Sequence, residues 1–143
     1  MKSALAASSQ PFLDDLDHWL KQFVTISISE AAPNPEKAAV LSVDVLKGFC
    51  TVGPLSGPRV AGVVPAIAAF FQRAWAHGIR HIILSQDTHE PDAVEFGAWP
   101  PHCVRGTEEA ETVDEFRRLP FFDQIVVFEK NSISSAEKTG LNA

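Results

Sequence analysis

Asp44, Asp87, His89, Glu95, His102 and Lys130 have types and spacings that point to chemistry in this 143-residue chain. Asp87-x-His89 offers a hard oxygen and an imidazole two residues apart, which in extended backbone project to the same side. Glu95 and His102 follow within one Pro-rich loop, completing an N2O2 donor set of the kind that suits Zn²⁺, Fe²⁺ or Mn²⁺. Glu90 and Asp92 compete for the same role, and a solvated polar loop is the simpler alternative. Asp44 and Lys130 each close an apolar run, where a turn-capping aspartate and a solvated lysine are the simpler alternatives. A carboxylate and an ammonium meeting at one sheet edge would form a hydrogen-bonded pair, fixing Asp44 as a base. Two aromatics, Phe49 and Trp99, fall in loops rather than on an apolar stripe, where they either plug the core or line a slot for a planar ligand. His18, His77 and His81 read as surface residues.

The elements that must position these groups can be placed from apolar runs and punctuation. Residues Pro11 to Phe23 carry Phe12, Leu13, Leu16, Trp19, Leu20 and Phe23 on one helical stripe, expected to pack on the domain C-terminal to it. "EAAPNPEK" is a linker, so residues 1–36 form an N-terminal helix and linker ahead of a single domain within 1–143. "AAVLSVDV" (38–45) reads as a strand buried on both faces. Arg59 to His77 reads as a helix started or kinked by Pro65 and closed by Gly78, "RHIILSQD" as a second buried strand, "EEAETVDEFRRL" as a short polar helix, and "FDQIVVFEK" as a third strand. Strand, helix, strand, helix, strand predicts an α/β fold, an open parallel sheet with helices on both faces in three α/β/α layers. Ligands in such sheets bind beyond the carboxyl ends of strands, where Asp44, Asp87, His89 and Lys130 all fall. No Gly-x-Gly-x-x-Gly or Gly-x-x-x-x-Gly-Lys turn succeeds the first strand, so a phosphate cradle is not indicated.

Composition narrows the function classes. A net charge of −6 without a basic cluster speaks against nucleic acid or anionic lipid as partner. No apolar run approaches the ~20 residues that span a bilayer, so a cytoplasmic protein is expected. The two cysteines, Cys50 and Cys103, lie far apart and read as free thiols.

"VDVLKGFC", "QDTHEPDAVEFGAWPPHCVRGTEE" and "FEKNSISS", in that order on successive strands, resemble the nicotinamidase and isochorismatase-like cysteine hydrolases over about residues 38 to 135. The middle segment is the most specific, since its Asp-x-His, later acid and Pro-Pro-His turn resemble a nicotinamidase metal loop. The resemblance implies the isochorismatase-like hydrolase fold and a hydrolase acting on a small nicotinamide-like carboxamide in NAD metabolism. It further implies Asp44 and Lys130 as catalytic residues, Asp87, His89 and His102 as ligands of a divalent metal, Zn²⁺ first, with Glu95 as a fourth. Phe49 and Trp99 become contacts to the substrate ring, and homo-oligomers are common in the family. The family's nucleophile is a cysteine on a later strand-to-helix turn, whereas this chain stops 13 residues beyond Lys130. Neither Cys50 nor Cys103 matches it, so the chain is expected to be incomplete at its C-terminus and inactive by itself. Another isochorismatase-like cysteine hydrolase, a non-catalytic metal-binding module, and an enzyme using a metal-activated water are the competing readings.

Overall fold

A computed structural model describes residues 4–136, 139 and 141. Three parallel strands, β1 (Ala39–Val43), β2 (His81–Asp87) and β3 (Val126–Lys130), form one sheet in the order β1-β2-β3. Helices flank the sheet, giving an α/β architecture. In chain order the helices are α1 (Ala4–Ser8), α2 (Gln10–Lys21), α3 (Ile28–Ala31), α4 (Lys47–Cys50), α5 (Pro58–Ala61), α6 (Val64–His77) and α7 (Asp114–Arg117).

The core lies between α6, α7 and one face of the sheet. Val64 and Phe71 from α6, Ile82 and Leu84 from β2, and Phe116 from α7 are buried together with Leu119, Phe121 and Ile125. Each fully buried large apolar side chain contributes about 1.5–3 kcal/mol. Phe71 and Phe116 meet at 4.9 Å, and Trp75 stacks on Phe121 at 4.4 Å. Gly78, with φ 108°, caps α6 as the sequence predicts, donating its N–H to the last turn.

Several expectations are corrected. The α2 stripe does not pack on the domain C-terminal to it: Phe12, Leu13, Trp19, Leu20 and Phe23 are exposed and no α2 residue is buried. The chain from Phe23 to Ser27 has no helical or strand structure, and α2 makes its contacts with α1 instead. β1 is an edge strand rather than one covered on both faces. Leu41 and Val43, like Val126 on β3, are about half exposed on the face away from α6. The helix expected over 59–77 is two helices, because the chain turns at Gly62-Val63 and Pro65 begins α6 anew. Residues 108–119 form a 3₁₀ turn and the four-residue α7. The third strand starts only at Val126, since Phe122–Gln124 is another 3₁₀ turn. His77 is not a free surface residue: its Nε2 meets the Ala32 carbonyl at 2.9 Å and ties α6 to α3. His18 and His81 are exposed, as expected.

Candidate active site and metal centre

The parallel register sets Asp87, last residue of β2, directly beside Lys130, last residue of β3. Asp44 comes just after β1, and its N–H donates to the Ser85 carbonyl at 2.8 Å. Its φ of 57° lies in the left-handed region, where Asp is tolerated better than most residues because its short polar side chain bonds locally. Here Asp44 Oδ1 accepts the Asp87 backbone N–H at 3.2 Å, and Oδ2 lies 3.1 Å from Lys130 Nζ. Lys130 Nζ also donates to Asp87 Oδ1. The expected Asp44–Lys130 pair is therefore a three-membered group, with a buried ammonium between two carboxylates.

This arrangement sets the electrostatics. Burial raises the pKa of Asp44, and the neighbouring Asp87 charge raises it further; Lys130 opposes both without cancelling them. Burial alone would lower the pKa of Lys130, but the Asp87 hydrogen bond and the Asp44 charge outweigh it, and the ammonium is held above its ordinary value. Asp44 thus has the raised proton affinity of a base, while Lys130 stays charged.

Asp87, His89, Glu95 and His102 each offer a donor atom within 4.8 Å of all the others. His89 Nε2 lies 3.5 Å from Asp87 Oδ2 and 3.3 Å from Glu95 Oε1, and His102 Nε2 lies 3.8 Å and 3.4 Å from the same two oxygens. The partners of the two Nδ1 atoms orient the rings. His102 Nδ1 meets the Pro100 carbonyl at 2.8 Å, and a carbonyl only accepts, so the proton of the neutral ring is on Nδ1. His89 Nδ1 meets Asn131 Oδ1 at 3.2 Å, and that oxygen also accepts the Glu90 backbone N–H at 3.0 Å. Both Nε2 atoms face the two carboxylates. His89 Nε2 is buried and has no hydrogen-bond partner, which for a polar atom inside a protein demands an explanation. Two imidazole nitrogens, one of them without a hydrogen-bond partner, and two carboxylate oxygens fit a divalent cation of the Zn²⁺, Fe²⁺ or Mn²⁺ class. Glu90 and Asp92 stand outside the group. Glu90 pairs with Arg105 at 2.8 Å, and Asp92 is exposed.

The loop that carries His89, Glu95 and His102 is closed on itself and tied to the sheet. His89 N–H donates to the Cys103 carbonyl at 2.9 Å and Arg105 N–H to the His89 carbonyl at 2.8 Å, so the loop's far end returns beside the extension of β2. Arg105 also reaches Glu129 on β3 at 2.5 Å. Phe96 lies edge-on to His89 and His102, at 5.4 and 5.6 Å between ring centres.

Beside the donor group opens a cavity of about 360 Å³ lined by Phe49, Leu55, Asp87, Glu95, Trp99, His102 and Ile133. Phe49 and Trp99, the two loop aromatics, thus share a wall with three of the four donor residues. Phe49 is held there because α4 is anchored beneath it: Lys47 pairs with Glu111 at 2.9 Å, and Leu46 bridges Thr112, whose hydroxyl donates to Gln86 at 2.9 Å. The cysteines lie apart from the cavity lining. Both are buried and free, and burial raises each thiol, Cys103 to about 12 with the Asp87 charge adding to the effect. Cys103 is wedged against Gly48, where a Cβ would collide with its sulfur and approach the Glu109 carbonyl to 2.8 Å.

The sequence reading missed Asn131, the Pro100 carbonyl, Leu55 and Ile133, and the second role of Asp87 as partner of Lys130. Asn131 alone had a usable signal, since it comes directly after Lys130 at the same strand end.

The model of the Isochorismatase domain matches residues 38–143. Nicotinamidase 1 of Arabidopsis thaliana is 32% identical over 114 residues, covering 70% of this chain and 44% of the relative. The nicotinamidase/pyrazinamidase of Mycobacterium tuberculosis is 32% identical over 80 residues, 51% of this chain and 42% of that protein. The chain spans less than half the length of these curated relatives. Among solved structures, N-carbamoylsarcosine amidase from Thermoplasma acidophilum superposes with a TM-score of 0.64 at 26% identity, over 73% of this chain and 57% of that one. The Pyrococcus horikoshii pyrazinamidase, solved in complex with zinc, shares the fold with a TM-score of 0.59 at 24% identity, over 71% of this chain and 59% of that one. The match of the family model over nearly three quarters of the chain shows that the protein belongs to the isochorismatase domain family.

Proposed function

We propose that this chain carries the acid–base pair and the metal-binding loop of a nicotinamidase-type amidohydrolase, which converts a small planar carboxamide to its acid and ammonia. One observation carries the reading: Lys130 bridges Asp44 and Asp87, and the other oxygen of Asp87 faces two imidazole nitrogens beside an aromatic-walled cavity. Both curated relatives are named for this activity.

In this reading Asp44 takes the proton of a cysteine thiol that neither Cys50 nor Cys103 supplies; the thiolate attacks the amide carbonyl, ammonia leaves with that proton, and water hydrolyses the resulting thioester to the acid. The raised pKa of Asp44 matches that proton transfer, and Lys130 holds the carboxylate in place while offsetting its charge. Phe49 and Trp99 hold the substrate ring between them. Asp87, His89, Glu95 and His102 would hold a divalent metal, zinc first, which when bound would supply a Lewis acid beside the substrate ring.

The 143-residue chain by itself does not turn over amides. Its sequence holds two cysteines, and both thiols are buried and kept protonated. Isothermal titration with Zn²⁺ should show one site per chain, weakened at least about tenfold in Asp87→Ala and in His102→Ala. Incubation with nicotinamide should release no ammonia. Ammonia release abolished by Asp44→Asn would overturn the inactivity, and absence of Zn²⁺ binding in the folded chain would overturn the metal reading.

A further inference from the structure

We propose that Asn131 is a positioning residue that fixes the tautomer of His89 and thereby makes the fourfold donor group competent for a metal. The inference rests on the metal-binding reading above. His89 is fully buried, and its ring sits between two opposing demands. On the Nε2 side, Glu95 Oε1 at 3.3 Å and Asp87 Oδ2 at 3.5 Å both favour a proton on that nitrogen. With the proton there, the lone pair would turn away from the site and the ring could not ligate. On the Nδ1 side, Asn131 Oδ1 at 3.2 Å is the hydrogen-bond acceptor present. That oxygen is itself oriented by the Glu90 backbone N–H at 3.0 Å, which excludes the flipped amide, since an N–H cannot donate to an NH₂ group. Asn131 therefore draws the proton to Nδ1 and leaves Nε2 as a lone pair aimed at the other three donors.

His102 needs no such side chain, because the Pro100 carbonyl does the same work from within its own loop. Asn131 belongs instead to the strand end that carries Lys130. Successive residues leaving β3 thus serve the two halves of the site: Lys130 bridges the carboxylates, and Asn131 sets an imidazole. Outer partners of this type typically change metal affinity by about 10–100-fold when removed.

The full chain, labelled with ¹⁵N-histidine at pH 8, gives a direct readout without metal, with the His89 signals assigned from a His89→Gln sample. The expected wild-type pattern is a protonated Nδ1 and a bare Nε2; finding Nε2–H in the wild type overturns the proposal at once, with no variant required. Asn131→Leu, which removes the acceptor at similar volume, should move the proton to Nε2 and weaken Zn²⁺ binding by about 10–100-fold in chelator competition. Asn131→Asp keeps an acceptor and should keep both the tautomer and an affinity within a few-fold. An unchanged tautomer in a folded Asn131→Leu chain overturns the proposal even if Zn²⁺ affinity falls. If the tautomer shifts as expected but the wild type binds no Zn²⁺, the role of Asn131 stands and the metal reading fails.

Discussion

With its side chain almost entirely buried, the Lys130 ammonium separates two carboxylates that would otherwise repel each other across the end of the sheet. Removing one member of such a group leaves uncompensated charge in a poorly solvated place. Lys130→Met is accordingly expected to lower stability by about 3 kcal/mol in urea unfolding. Asp44 keeps some solvent contact, which argues for the lower end of the usual range. The thiols give a second test at this scale. Cys103 ionises near 9 when unfolded, whereas burial holds it protonated to about 12 in the folded chain. Its folded pKa is raised, so its contribution to stability is complete below pH 9 and declines as the pH rises from 9 toward 12. At pH 8 neither Cys50 nor Cys103 should react with a thiol-labelling reagent until denaturant is added. The donor residues were legible in the sequence because Asp87-x-His89 and the later Glu95 and His102 fall in one loop after one strand. The double use of Asp87 was not, because it depends on the β2–β3 register, which pairs residues 43 positions apart.

The strands and α6 announce themselves through apolar runs and through Gly78, but the joints between elements do not. Residues 108–119 carry a helical composition, yet Lys47, Glu111 and Thr112 pull that segment across α4 and Gln86, so tertiary contacts override local propensity. The same junction makes Gly48 indispensable. Any side chain there runs into the Cys103 sulfur and the Glu109 carbonyl, both parts of the segment C-terminal to His102. Gly48→Ala should cost about 1–3 kcal/mol through overpacking. Because α4 carries Phe49 but none of the four donor residues, the substitution should weaken Zn²⁺ binding less than it weakens stability, a split that unfolding and titration measured on one sample would reveal.

For the whole molecule, two apolar surfaces lack cover among the described residues: the α2 stripe, and the sheet face bearing Leu41, Val43 and Val126. The periodicity of 11–23 identified the first as amphipathic but could not say what it packs against, since amphipathicity specifies a face and not a partner. Removing residues 1–24 should shift Tm by less than about 3 °C, because α2 buries no residue. The sheet face, by contrast, should drive association of the 143-residue chain at micromolar concentration. Light scattering should show that association, and Leu41→Lys with Val126→Lys should reduce it without changing the core. The loop of donor residues has a further consequence for anyone wishing to move it. Its aspartate is held by Lys130, one imidazole by Asn131, and its closing arginine by Glu129, all from outside the loop and all at the end of β3. Residues 85–105 are thus not a portable cassette: excised as a peptide or grafted to another scaffold, they would keep every donor atom and lose the means of aiming them.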